Sequence, residues 1–278
     1  MSAFLPLATV ALLFIPLAWW MLRSFPGRER SVLMRILLVG LIVRMGLSFL
    51  FSIYVDPMSW DKDAASYIRH GKILAEHLHS GRRVPEGPKR LVRATHPGYF
   101  YYCAGLYFLF GPQDYVPGFF NVLLGMLSIV ILLLLIRPLL AWRVIRNSAL
   151  LITFFPSIIN YHVFPLKDTL VFFLVISTLY LYIRFLRQRS LISILFAAIP
   201  LFFLFFIRFY LVMVIGIVFL LMLVFATREM SFKSIIRTMA GALVTTVLLF
   251  SLGLGDQLIE RWNKQATVKH MDRMREGL

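Results

Sequence analysis

The chain carries one cysteine, Cys103, in 278 residues. An intrachain disulfide is therefore impossible, and paired-thiol redox or zinc motifs are excluded with it. Cys103 lies among aromatics and reads as a small packing residue. Charge is also scarce: 15% of residues are charged and 60% are hydrophobic. A soluble domain sits nearer half apolar. The excess falls in blocks of about 17–23 residues, the length that crosses a hydrocarbon core of roughly 30 Å. Acidic residues are the scarcer charge, 13 against 29 basic, for a formal charge of +16. The basic residues cluster in short segments between apolar blocks, where membrane topology accounts for many of them. Nucleic acid is accordingly not an expected partner. A P-loop, a GxSxG nucleophile elbow and an HExxH helix are all missing, as are internal repeats, low-complexity linkers and a soluble domain.

What remains is an all-α integral membrane protein. The first apolar block, Ala3–Leu22, lacks a basic segment before it, and its charges follow at Arg23, Arg28 and Arg30. That order is the reverse of a cleaved signal peptide and predicts a retained helix with its N-terminus outside. About eight spans are expected, at 3–22, 32–54, 117–136, 148–164, 169–187, 190–207, 209–226 and 237–254. Alternate short connections are rich in arginine: Arg23 to Arg35, Arg137 to Arg146, Arg184 to Arg189, and Arg228 to Arg237. The other short turns hold only Lys167 and Arg208. This asymmetry assigns the first set to the cytoplasm. The segment 55–116, the turns at Asp168 and Arg208, and the tail then face outward. The expected organisation is one transmembrane domain over 1–254 followed by a charged extracytoplasmic tail at 255–278.

The outer segment predicts two interfacial helices. From Asp61 to His79, the residues Ala64, Tyr67, Ile68, Gly71, Leu74, Ala75 and Leu78 recur at helical spacing, the pattern of an amphipathic helix. Pro97–Phe110 is aromatic and too short to cross. It is expected at the interface, with Tyr99, Tyr101, Tyr102 and Tyr107 at headgroup depth.

The candidate chemistry sits in the same segment and near it. Asp61 and Asp63 stand at the start of the amphipathic helix, with Tyr67 one turn on. Two carboxylates so placed can share a divalent cation such as Mg or Mn, or one can act as a base; helix capping is the plain alternative. Asp168 follows Lys167 at the edge of a span, where the two can simply pair. Arg208 lies between two apolar blocks, where it can clamp a lipid phosphate or snorkel at a turn. Arg44, inside a span, calls for a buried polar partner. His96 and the basic group Lys89, Arg90 and Arg93 suit anionic headgroups or a substrate phosphate.

In order along the chain stand Asp63 and Tyr67, the run Thr95-His96-Pro97-Gly98-Tyr99-Phe100, Leu109-Phe110-Gly111, Asn121, Phe155-Pro156, and Pro165-Leu166-Lys167-Asp168. This order, and its placement relative to the spans, resembles the GT-C superfamily of membrane glycosyltransferases, specifically the bacterial protein-mannosyltransferase-like group. The resemblance covers roughly residues 32–226. It implies transfer of a sugar from a polyprenyl-phosphate donor to an acceptor glycan, lipid or protein at the extracytoplasmic face of the bacterial inner membrane. It also implies that Asp63 is the catalytic base or orients the acceptor, that Asp168 is the second acidic position, and that Arg208 lies near the donor phosphate. The family places the span before Asp63 first, whereas Ala3–Leu22 is extra here, and its members run on through further helices, so a short or truncated member is expected. The rival expectations are a lipid or solute transporter and a non-catalytic membrane partner in envelope glycan assembly.

Overall fold

A computed structural model describes residues 4–56, 61–81, 97–188 and 191–227. Among them every element is helical and no strand occurs. The α-helices are α1 (Phe4–Met21), α2 (Gly27–Tyr54), α3 (Lys62–Ser80), α4 (Pro97–Phe110), α5 (Tyr115–Ile136), α6 (Trp142–Phe154), α7 (Pro156–Val163), α8 (Lys167–Gln188) and α9 (Leu191–Thr227). Among the described residues, five stretches are long and apolar enough to cross a membrane: Phe4–Ser24, Gly27–Tyr54, Tyr115–Ile136, Lys167–Gln188 and Leu195–Phe219. The span expected at 237–254 and the tail lie outside the described residues. The chain forms two compact units, Met1–Tyr180 with Phe206–Arg208, and Leu181–Phe205 with Phe209–Leu278.

In the first unit α2 and α5 run antiparallel. Tyr115, at the start of α5, packs on Phe49 near the end of α2, and the close approach of Gly118 to Ser48 and of Gly125 to His162 leaves no room for a Cβ on that face. Small residues let helices approach in this way where lipid offers no hydrophobic drive to associate. Beside α2 runs the stretch expected as one span at 148–164. It is instead two helices, α6 and α7, broken at Phe155, which is extended at φ −68°, ψ 120°. Pro156 is the cause: it has no N–H to donate and clashes with a preceding helical carbonyl, and it drives the residue before it out of helical geometry.

The break explains Arg44. The carbonyl of Ile152, four residues before Pro156, has lost its helical donor. Arg44 Nη2 donates to that oxygen at 3.4 Å, Nη1 to Gly40 O at 3.4 Å, and Nε to His162 Nδ1 at 3.3 Å. The Arg44 side chain is wholly buried, and among the described residues no carboxylate is paired with it. His162 Nδ1 accepts this bond, so its proton sits on Nε2.

The basic connections meet at one end of this unit. Arg23 lies over Trp20 at 4.8 Å, Arg30 over Trp19 at 4.1 Å, and Arg137, after α5, over Phe25 at 5.0 Å. At the opposite end α3 and α4 pack together. Tyr67 meets Tyr99 and Phe100 with ring centroids 4.6 and 4.9 Å apart, and His79 stacks on Phe108 at 4.3 Å. The register rises along both helices, so the two run parallel. Of the α3 residues expected on the apolar face, six are buried and Leu78 is exposed. The tyrosines of α4 divide. Tyr99 and Tyr107 are buried, while Tyr101 is exposed, because this helix spends its aromatic face on α3.

In the second unit Tyr182 stacks on Phe219 at 3.7 Å and donates its hydroxyl to Phe219 O at 2.8 Å. A straight helix would hold Leu191 and Phe219 about 42 Å apart. The chain from Tyr182 to Leu191 can bridge only about 20 Å. The segment must therefore fold back, and Arg208 (φ −148°, ψ 82°) is its non-helical residue. The chain reverses there, as the separate apolar blocks 190–207 and 209–226 predict.

Candidate functional site

The end of the first unit opposite the basic connections gathers charge. Asp61 is the N-cap of α3: its Oδ1 accepts from the amides of Asp63 at 2.7 Å and Ala64 at 3.0 Å. The capping alternative thus describes Asp61. Asp63, two residues on, points away, with its side chain 65% exposed, and its Oδ2 lies 3.3 Å from Lys167 Nζ. The Lys167 side chain is only 13% exposed. Its ammonium also lies 5.7 Å from the Tyr67 ring centroid. Burial raises the Tyr67 phenol above its ordinary pKa, and the nearby Lys167 charge works the other way.

Asp168 does not pair with its neighbour Lys167, as the sequence allowed. It receives Arg208 Nη2 at 2.7 Å, across 40 positions of chain. Arg208 is set there by the reversal it occupies. Gly98 helps to seat that turn: a Cβ on Gly98 would lie 2.7 Å from Ile207 Cγ1 and 3.1 Å from the Phe206 carbonyl. This gives Gly98 a physical reason that reading in sequence did not supply. A further pair, Lys72 with Asp114 at 2.5 Å, ties α3 to the start of α5.

The site residues from the sequence thus divide. Asp63, Tyr67 and Lys167 come together, Asp168 and Arg208 come together, and Asp61 is a cap. Lys89, Arg90, Arg93 and His96 lie outside the described residues. Among the described residues no three His, Cys, Asp or Glu side chains gather as a metal would need. Asp61 is taken up by its cap, Asp63 lies against Lys167, and Asp168 lies against Arg208.

Exposed ion pairs stabilise by about 1 kcal/mol at most. Fold stability is therefore a weak reason for three separated parts of the chain to bring two carboxylates and two cations to one end. Beside them opens a mainly apolar cleft whose lining includes Phe51, Val55, Ala64, Ile68 and Phe164.

No protein-family model, no curated protein and no solved structure matches the chain.

Proposed function

We propose that the charged end is the active site of a GT-C-type membrane glycosyltransferase, moving a sugar from a polyprenyl-phosphate donor to an acceptor hydroxyl at the outer face of the membrane. The observation that carries the reading is the placing of exposed Asp63 against Lys167 at the end that also holds the Arg208–Asp168 pair. Asp63 is mostly exposed beside the Lys167 ammonium, open to an acceptor hydroxyl whose proton it would take. The acceptor oxygen attacks the anomeric carbon as its proton passes to Asp63. The bond from that carbon to the phosphate oxygen breaks, and the leaving phosphate takes the electron pair. Lys167 and Arg208 answer the charge that develops there. The apolar cleft lined by Phe51, Ile68 and Phe164 suits a substrate carried on a lipid.

In this reading eight spans cross the membrane: α1, α2, α5, the broken pair α6–α7, α8, the two arms either side of Arg208, and 237–254. Helices α3 and α4 lie at the outer interface among membrane lipids. The acceptor is a glycan, lipid or protein, and the membrane is the bacterial inner membrane. Arg44, the mid-span charge that a transporter would use, is closed in by His162 and two carbonyls, which favours the enzyme.

A cell-based glycan assay on aspartate-to-asparagine variants, compared at equal protein level, tests the proposal. Asp63→Asn is expected to lose roughly 10²–10⁴-fold, the worth of a general base. Asp61→Asn keeps a competent cap and is expected to stay near native. Near-normal transfer by Asp63→Asn would leave the non-catalytic partner as the better reading.

A further inference from the structure

Asn121 is a wholly buried polar side chain in α5 that takes no part in the proposed chemistry. Its amide donates to Phe164 O at 2.8 Å and to Leu166 O at 2.9 Å, and the Tyr99 hydroxyl lies 3.0 Å from its Nδ2 and 3.3 Å from its Oδ1. The two amide hydrogens thus serve three acceptors, and the carbonyl oxygen is within reach of the Tyr99 hydroxyl. The carbonyls belong to the turn that ends α7, immediately before Lys167. Tyr99 packs its ring edge-on to Tyr67 at 4.6 Å, and the Lys167 ammonium lies over the Tyr67 ring, 5.7 Å from its centroid. The contacts close a circuit from Asn121 through the turn to Lys167, on to Tyr67 and Tyr99, and back to Asn121.

We infer that Asn121 is a positioning residue: by fixing the Phe164–Leu166 turn and the Tyr99 ring from one point, it places the Lys167 ammonium against Asp63. Phe164 O also accepts from Leu166 N–H at 2.8 Å, so the Asn121 amide braces that bond and reaches Leu166 O beside it; a buried carbonyl left unpaired costs about 1–3 kcal/mol. A single amide that bonds both fixes the direction in which α8 starts. The circuit also gives Tyr99 a purpose other than bulk, since its hydroxyl joins α4 to Asn121 of α5. The functional purpose of this placement rests on the glycosyl-transfer reading, but the placement itself does not.

The test therefore reads Lys167 directly and needs no sugar. Protein in membranes is treated with a water-soluble amine-acylating reagent, and modification of Lys167 and Lys72 is followed by mass spectrometry. In the native background, Asp63→Asn is expected to raise the Lys167 acylation rate several-fold, because an amine released from a carboxylate acylates faster. In an Asn121→Leu background the same change is expected to have no further effect, while Lys72 on α3, paired with Asp114, keeps its native rate. Tyr99→Phe, which removes one hydroxyl and keeps the ring, is expected to weaken the coupling in part, and it decides the question if Asn121→Leu does not fold. An Asp63→Asn effect on Lys167 that is equal in all backgrounds overturns the inference. So does a Lys72 rate that rises together with that of Lys167, which would make Asn121 a support of the whole unit. If the coupling is lost as described and Asp63→Asn still transfers sugar, the positioning stands and the glycosyl-transfer reading falls.

Discussion

Arg44 shows how a single residue answers a problem set by another. Pro156 leaves the Ile152 carbonyl without a helical donor, and the guanidinium supplies one across the helix packing. Arg44→Met keeps length and apolar bulk but orphans Ile152 O and His162 Nδ1. Each buried acceptor left unpaired costs about 1–3 kcal/mol, so thermal unfolding in detergent is expected to show a loss of about 2 kcal/mol or more. An unchanged transition would mean that water or a rotated neighbour replaces the guanidinium. The sequence made Arg44 conspicuous and required a buried polar partner for it. It could not name His162, because the pairing depends on α2 and α7 lying side by side, 118 positions apart. The same holds for Asp63. Its place near a helix start was legible, and its partner Lys167, 104 positions on, was not. Local reading paired Lys167 with its neighbour Asp168, and the fold gave each a distant partner instead.

Among the elements, those set by periodicity were the most legible. The seven apolar positions of α3 defined its face, and α4 has the bounds that its aromatic run indicates. The span at 148–164 was misread because hydropathy averages over Pro156 and cannot see a backbone break. Which of the α4 tyrosines pack on α3 was not legible, because an aromatic belt and a packing face look alike in sequence. The reversal at Arg208 makes a claim about α4 as well, since Gly98 lies against Phe206 and Ile207. Gly98→Leu is expected to displace that turn. Misplacement by about 1 Å can cost 10²-fold in rate, so transfer is expected to fall by one to two orders of magnitude while the protein still reaches the membrane. A Phe209→Cys reporter, in a Cys103→Ser background, should become more reactive to thiol reagents in that variant. Unchanged labelling would show that the turn tolerates the side chain.

At the scale of the whole chain, the first unit has a basic end, with Arg23, Arg30 and Arg137 on aromatic rings, and a mixed-charge end with Asp63, Lys167, Asp168 and Arg208. The positive-inside rule assigns the first to the cytoplasm. Single-cysteine labelling in a Cys103→Ser background is expected to mark Leu139→Cys from the cytoplasmic side and Lys62→Cys from the outside. Labelling of both from one side would remove the proposed topology. Function is the least legible level, because the chemistry rests on pairs that form only when distant segments meet. The most direct measurement reconstitutes the purified chain in lipid vesicles with a labelled polyprenyl-phosphate sugar and an acceptor extract, and compares the native protein with Asp63→Asn. The account predicts that the native chain transfers label from the lipid-linked donor but not from a nucleotide sugar, and that the variant falls by roughly 10²–10⁴-fold. Equal transfer by the two proteins, or transfer from the nucleotide sugar alone, would contradict it.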